Sequence, residues 1–163
     1  MRRWRVPLGF VCGAIAFWLA RPTPFSVLAG MTVAALGEVI RLWAAGHLDK
    51  GREITRSGPY RHVRHPLYAG SAIMGIGFMV AARTLSAAVV VSLYLIVALI
   101  STARAEEAAL DARFGGAYSA YRDGRAAPSD RPFSLARVKA NREYRAVIGL
   151  VVGCGLLYLR SWF

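Results

Sequence analysis

Acidic residues are scarce in this chain: nine Asp and Glu stand against 21 Lys and Arg in 163 residues, a formal net charge of +12. Cysteine is scarcer still. Cys12 and Cys154 both lie inside apolar runs, and no Cys-x-x-Cys or Cys/His spacing is present, which leaves no basis for a disulfide framework or a zinc site. The positive charge comes without a helix-turn-helix, zinc-finger or RNA-recognition signature, so nucleic acid is not the expected partner. What the chain has in excess is apolar: 56% of residues are hydrophobic, 18% are charged, and the mean hydropathy is +0.40. A disordered basic tail has few apolar residues, and a soluble domain seldom lies so far to the apolar side. The expected fold is an all-α, polytopic membrane helical bundle, treated at this length as a single unit over 1–163.

Five apolar runs stand out, about Val6 to Ala20, Phe25 to Ala45, Leu67 to Ala82, Leu85 to Ala103 and Ala146 to Leu159. An untilted span needs roughly 20 residues, so three of the five are short. Snorkelling flanks or local bilayer thinning can complete a short span, and the hairpin turned at Arg21-Pro22-Thr23-Pro24 either crosses or only dips. The start Met-Arg-Arg-Trp-Arg followed by an apolar run is also signal-peptide-like. Because no small-x-small cleavage site precedes Arg21-Pro22, the expectation is an uncleaved helix.

Charge placement predicts the orientation. With a cytoplasmic N-terminus, one side receives Arg2, Arg3 and Arg5, then Lys50, Arg52, Arg56, Arg61 and Arg64, then Arg104 through Arg145. The other side receives only Arg21, Arg83 and Arg160, a strong positive-inside asymmetry. The basic loops then face anionic lipid head groups, which makes membrane lipids the expected surroundings. Segments 46–66 and 104–145 also hold nearly all the acids and all three histidines, so the chemistry is expected there.

Three stretches carry candidate site residues. Glu38 and Arg41 lie three apart on one helix face of the second run, where ions are costly and face an interior or a wet cavity. Either the pair fixes helix packing, or Arg41 binds a carboxylate or phosphate with Glu38 holding it. In 52–70, a Ser-Gly-Pro turn and a His-Pro break bracket a polar segment. Pro66 predicts that the third helix starts at Pro66 or Leu67, with free N-terminal amides suited to an anion. Tyr60 and Tyr68 either flank a planar ligand or belong to an interfacial aromatic belt. In 104–122, a helix leaving the fourth run is closed by Gly115-Gly116 and carries the pair Glu106-Glu107 against the basic bias of this face. These acids either accept from ribose hydroxyls or an amine, or pair with Arg104 or a loop arginine. His62 and His65 alone do not make a metal site, and none is expected.

The order Gly-Pro-Tyr-Arg-x-x-Arg-His-Pro-x-Tyr-x-Gly, a helical hairpin, Glu-Glu-x-x-Leu and then Phe-Gly-x-x-Tyr-x-x-Tyr resembles the isoprenylcysteine carboxyl methyltransferase family and its phospholipid methyltransferase relatives. The resemblance covers roughly residues 37 to 122 and includes the helix Gly37 to Ala44. It implies an integral membrane enzyme using S-adenosylmethionine without a Rossmann domain, consistent with the lack of a Gly-rich dinucleotide loop. Carried over residue by residue, it implies cofactor binding by Glu53, Ile54, Thr55, Tyr60, His65, Pro66, Leu67, Tyr68 and Glu106. It further implies that Arg41 serves at the methyl-accepting group, as catalytic and substrate-binding residue with Glu38 beside it. The organisation that follows is an N-terminal hairpin (1–45), a cofactor-binding catalytic core (46–122), and a basic linker with a C-terminal transmembrane helix (123–163).

Two departures from the family pattern bear on the substrate. The family's arginine before the acidic run aligns with Thr102, which leaves Arg104, two residues later, as the nearest substrate-contact candidate. After Tyr121 the chain adds a linker and a fifth run whose Gly149, Gly153 and Gly155 either pack on a neighbouring helix or form a subunit contact. The expected function is methyl transfer to a lipophilic small molecule or lipidated acceptor entering from the bilayer, with cytoplasmic catalytic loops, in the inner membrane of a bacterium or archaeon. The alternatives are an NADPH-dependent membrane reductase of the sterol-reductase type and a non-catalytic lipid-binding scaffold.

Overall fold

A computed structural model describes residues 5–163. Arg2 and Arg3, and the charged start from Met1 to Trp4, lie outside the described residues. Seven α-helices and one 3-10 turn occur among them, without a strand: α1 (Arg5–Leu19), α2 (Pro24–His47), the turn Gly58–Arg61, α3 (Pro66–Ala82), α4 (Leu85–Phe114), α5 (Gly116–Arg122), α6 (Leu135–Ala140) and α7 (Tyr144–Arg160). The five expected runs are thus α1, α2, α3, α4 and α7. Of these, α2 and α4 are long and apolar enough to cross a membrane. At 17 residues α3 reaches about 26 Å, just short of a typical hydrocarbon core of about 30 Å.

The bundle is packed inside out relative to a soluble protein. Its buried positions are small, with Ala16, Ala20, Ala34, Ala44, Ala45, Ala81, Ala82 and Ala87 in the interior. Its large side chains point outward, including Phe10 and Trp18 on α1, Phe25 and Leu36 on α2, and Leu85 and Val97 on α4. In water such an exposed apolar surface is unfavourable, whereas in lipid it is the solvated face and small residues let backbones approach.

The tightest approach joins α2 to α3. A Cβ on Gly37 would stand 2.6 Å from the Gly70 carbonyl oxygen, and one on Gly77 would stand 2.6 Å from both the Gly30 carbonyl oxygen and the Ala34 nitrogen. Gly30, Ala34 and Gly37 lie at helical spacing on one face of α2, so this face admits the backbone of α3 directly. The fifth run behaves differently from its expected glycine seam. Gly153 faces the Phe78 ring, but Gly149 and Gly155 meet nothing within 4 Å, so two of its three glycines take no part in packing on a neighbouring helix.

Caps fix where the helices begin. Thr23 and Ser26 form a reciprocal capping box, with the Ser26 amide donating to Thr23 Oγ1 at 3.2 Å and the Thr23 amide donating to Ser26 Oγ at 2.9 Å. Thr84 Oγ1 accepts from the Ala87 amide at the start of α4 and donates to the Leu19 carbonyl at 3.0 Å. Arg160 donates to the Ala20 and Trp18 carbonyls, and the Arg21 amide donates to the Ala82 carbonyl at 2.9 Å. Arg21, Arg83 and Arg160 therefore share one end of the bundle, and the basic segments 46–66 and 104–145 share the other. The 123–143 segment is not a plain linker. It carries α6 and folds back over the end of α2, where Ser134 donates to the Gly46 carbonyl at 3.0 Å.

Candidate active site

At the basic end, the Ser57-Gly58-Pro59 turn folds against the end of α2. Gly58 has φ +56°, and a Cβ there would stand 2.5 Å from the His47 ring; both the backbone angle and the contact call for glycine. His47 Nδ1 lies 3.2 Å from Ser57 Oγ. The turn delivers Tyr60 into the interior, where it is 8% exposed. The Tyr121 hydroxyl, on α5, donates to the Tyr60 carbonyl at 3.0 Å. Thus the second tyrosine of the Phe-Gly-x-x-Tyr-x-x-Tyr stretch holds the loop, while Tyr118 is fully buried. Burial, followed by the negative charge of Glu106, pushes the Tyr60 phenol far above its ordinary pKa, so it stays a neutral hydrogen-bonding group. Burial raises the Tyr118 and Tyr121 phenols as well.

Helix α3 starts at Pro66, as the His-Pro break predicts. His65 precedes it with no side-chain cap; Pro66 has no amide hydrogen and the Tyr68 and Ala69 amides donate to the His65 carbonyl at 3.0 and 3.1 Å, which leaves the Leu67 amide as the first-turn donor with capacity for an anion. The His65 ring stacks on Tyr68, 5.3 Å between centroids at an interplanar angle of 19°. The acidic pair on α4 then divides between these two residues. The Tyr68 hydroxyl donates to Glu106 Oε2 at 2.5 Å, and Glu107 Oε1 lies 2.9 Å from His65 Nε2 and 3.6 Å from Arg64 Nη1. Adjacent helical residues differ by about 100° around the axis, which is how one pair reaches two partners.

A second cluster borders the first. Arg41 Nε lies 3.5 Å from Glu38 Oε2, its Nη1 donates to Ser71 Oγ, and its Nη2 pairs with Glu143 Oε1. Glu143, at the entrance to α7, and Glu38 are 6% and 5% exposed, and neither Glu38 oxygen has a hydrogen-bond partner among the described residues. The negative charge of Glu143, like that of Glu106, raises the Tyr60 phenol, an electrostatic link between the two clusters. Sequence reasoning missed Ser71 and Glu143. The one signal for Glu143 was an acid in an otherwise basic stretch just before the fifth run.

The remaining candidates lie elsewhere. Glu53 Oε2 is 2.7 Å from Arg131 Nη2, and Arg131 also reaches Asp49 at 3.3 Å. Thr55 is buried, with its Oγ1 accepting from the Asp49 amide at 3.3 Å, and Ile54 is half-buried. Glu53 is thus tied to the returning segment and Thr55 to the loop after α2, with no contact to Glu106 among them. Arg104 is exposed on α4 and forms no ion pair among the described residues. Two residues from Glu106, it points to nearly the opposite side of the helix. Among the described residues no three His, Cys, Asp or Glu side chains converge as metal ligands would.

A family model described as phospholipid methyltransferase matches residues 5–117. Among curated proteins, the chain is 35% identical over 85 residues to the cobalt-zinc-cadmium resistance protein CzcN of Cupriavidus metallidurans, covering 47% of this chain and 39% of that protein. It is 32% identical over 96 residues to the nickel-cobalt-cadmium resistance protein NccN of Alcaligenes xylosoxydans xylosoxydans, covering 52% of this chain and 44% of that one. The chain therefore spans less than half the length of either relative. No solved structure matches.

Proposed function

The chain belongs to the phospholipid methyltransferase family, and from that premise we propose that it is an S-adenosylmethionine-dependent methyltransferase acting on a lipophilic acceptor that enters from the bilayer. The observation that carries this reading is the joining of the α3 start to the α4 exit by Tyr68–Glu106 and His65–Glu107 beside buried Tyr60. That arrangement suits the cofactor. The Leu67 amide at the α3 start would take the methionine carboxylate, the Tyr60, His65 and Tyr68 rings would flank the adenine, and Glu106 would accept from the ribose hydroxyls. The bound cofactor supplies a methyl group already activated by its sulfonium.

The protein's own residues therefore align and exclude water more than they activate. Glu38, Ser71 and Glu143 hold the Arg41 guanidinium from three directions, and Arg41 orients the acceptor's polar end. An anionic acceptor would have to replace Glu143 there. On this reading the enzyme lies in an inner membrane with the basic end and its catalytic loops in the cytoplasm, which the exposed apolar side chains and the charge asymmetry support.

Calorimetric titration of the detergent-purified chain with S-adenosylhomocysteine, with NADPH as control, tests this. We expect saturable binding of the first alone. Glu106→Gln should weaken it by about 10- to 100-fold, the range for a hydrogen bond to a charged group. Binding of NADPH alone would move the reading to a reductase, and unchanged binding in Glu106→Gln would remove Glu106 from the cofactor pocket.

A further inference from the structure

A cavity of about 730 Å³ shares no lining residue with the Tyr60–Glu106 or Arg41–Glu143 clusters. It opens between the loop after α2 and the α6–α7 corner, and much of its wall falls beyond the residues matched by the family model. Lys50, Arg52, Arg137 and Arg142 line it with a single acid, Asp49. That acid is already engaged, 3.3 Å from Arg131 and 4.0 Å from Arg52. Arg137 is fixed in position by its Nε donating to the Gly46 carbonyl at 2.7 Å. Lys50 and Arg142 have no ion-pair partner among the described residues. The wall therefore carries an excess of positive charge over the single Asp49 carboxylate among the described residues.

The cleft also sits at a particular depth. It borders the end of α2 at His47 and the start of α7 at Tyr144, the basic ends of two apolar helices, where the charge asymmetry would put the lipid head groups. Leu135 and Tyr144 are exposed beside the arginines, so an apolar rim adjoins the charged wall. Arg142 adds an independent observation. It has φ 59° and terminates α6 through the bonds Arg142 amide to Lys139 carbonyl, 3.0 Å, and Glu143 amide to Val138 carbonyl, 3.2 Å. This paired pattern strongly favours glycine at the left-handed position. Arginine there costs backbone energy that glycine would not, while placing a guanidinium at the cleft and directing its neighbour Glu143 inward to Arg41.

We propose that this cleft is a binding site for the head group of an anionic phospholipid, separate from any substrate lipid. A phosphodiester meets the guanidinium and ammonium donors, and the acyl chains lie along the apolar rim. A zwitterionic head group would bring its own cation against the arginines and bind less well.

The test uses the full chain in detergent, with bound lipid counted by native mass spectrometry during titration with phosphatidylglycerol or phosphatidylcholine. We expect one phosphatidylglycerol to bind about tenfold more tightly than phosphatidylcholine. Arg142→Gly should abolish most of that preference while unfolding at or above the wild-type temperature, since glycine suits the left-handed corner. Lys50→Gln, on an exposed loop, should weaken the preference several-fold by an independent route. Arg125→Gln, at the same end but outside the cleft, should keep it. The proposal is overturned if wild type has no preference, if Arg142→Gly and Lys50→Gln both retain it, or if inorganic phosphate displaces phosphatidylglycerol at equal concentration, which would make the site one for free phosphate.

Discussion

Arg41 is where single residues matter most. One guanidinium faces two buried carboxylates, Glu38 and Glu143, and a serine. Breaking a buried pair by removing one partner costs about 3–5 kcal/mol, because the other charge is left in a medium that cannot solvate it. Arg41→Ala should therefore lower stability by about that amount, measured as a shift in the unfolding transition in detergent. Adding Glu38→Gln and Glu143→Gln should recover much of the loss. If Arg41→Ala unfolds like wild type, the pairing with Glu143 does not form in the folded protein. Glu38 and Arg41 were legible in the sequence because charge inside an apolar run is conspicuous. Ser71 and Glu143 were not, since a serine in a helix signals nothing and a lone acid before the fifth run names no partner until the fold brings both to the same guanidinium. The acidic pair was legible only as a pair; that Glu106 meets Tyr68 and Glu107 meets His65 depends on how α4 is rotated about its axis.

Elements are held by small residues more than by large ones. At Gly37 an added Cβ would meet the Gly70 carbonyl oxygen, a backbone atom that cannot swing aside. Gly37→Ala should therefore separate α2 from α3 and destabilise by about 1–3 kcal/mol, the range for overpacking. Gly149→Ala meets open space, and the usual gain in helix propensity of up to about 1 kcal/mol should show instead. Thermal unfolding of the two variants should thus move in opposite directions; a fall of equal size in both would mean that α7 is packed more deeply than described. The apolar runs predicted α1, α2, α3 and α7 to within a few residues, because apolar length is a local property, whereas α4 continues past its run at Ala103 to Phe114, as far as the Gly115-Gly116 stop. Of the seam glycines, Gly30 and Gly77 went unremarked and Gly37 and Gly70 stood only as motif positions, whereas those at 149, 153 and 155 were singled out for density along the chain. Density does not tell which face of a helix a glycine occupies. Helix α6 was also missed, since six residues, Leu135–Ala140, make less than two turns and carry too little periodicity to separate from a linker.

For the whole molecule the consequence of this packing is a bundle with two unlike ends. Arg21, Arg83 and Arg160 gather at one end. At the other, the returning segment ties the loops together through Arg131 to Asp49 and Glu53, Arg61 to Asp130, and Asn141 to the Ala45 and Leu48 carbonyls. Because Lys and Arg resist translocation, the end with more of them should stay in the cytoplasm. A reporter fused after Tyr121 should therefore read cytoplasm, and one fused after Phe163 the opposite side, since α7 runs from Glu143 beside Arg41 back to Arg160 beside Ala20. Both reporters on one side would mean that α7, at 17 residues, lies against the bundle without crossing, and Glu143 would then have to reach Arg41 from the surface. Moving the balance of charge tests the cause as well as the result. Replacing Arg137, Lys139, Arg142 and Arg145 with glutamine should weaken the hold on α7 first, giving mixed orientation after Phe163 while the reporter after Tyr121 stays cytoplasmic.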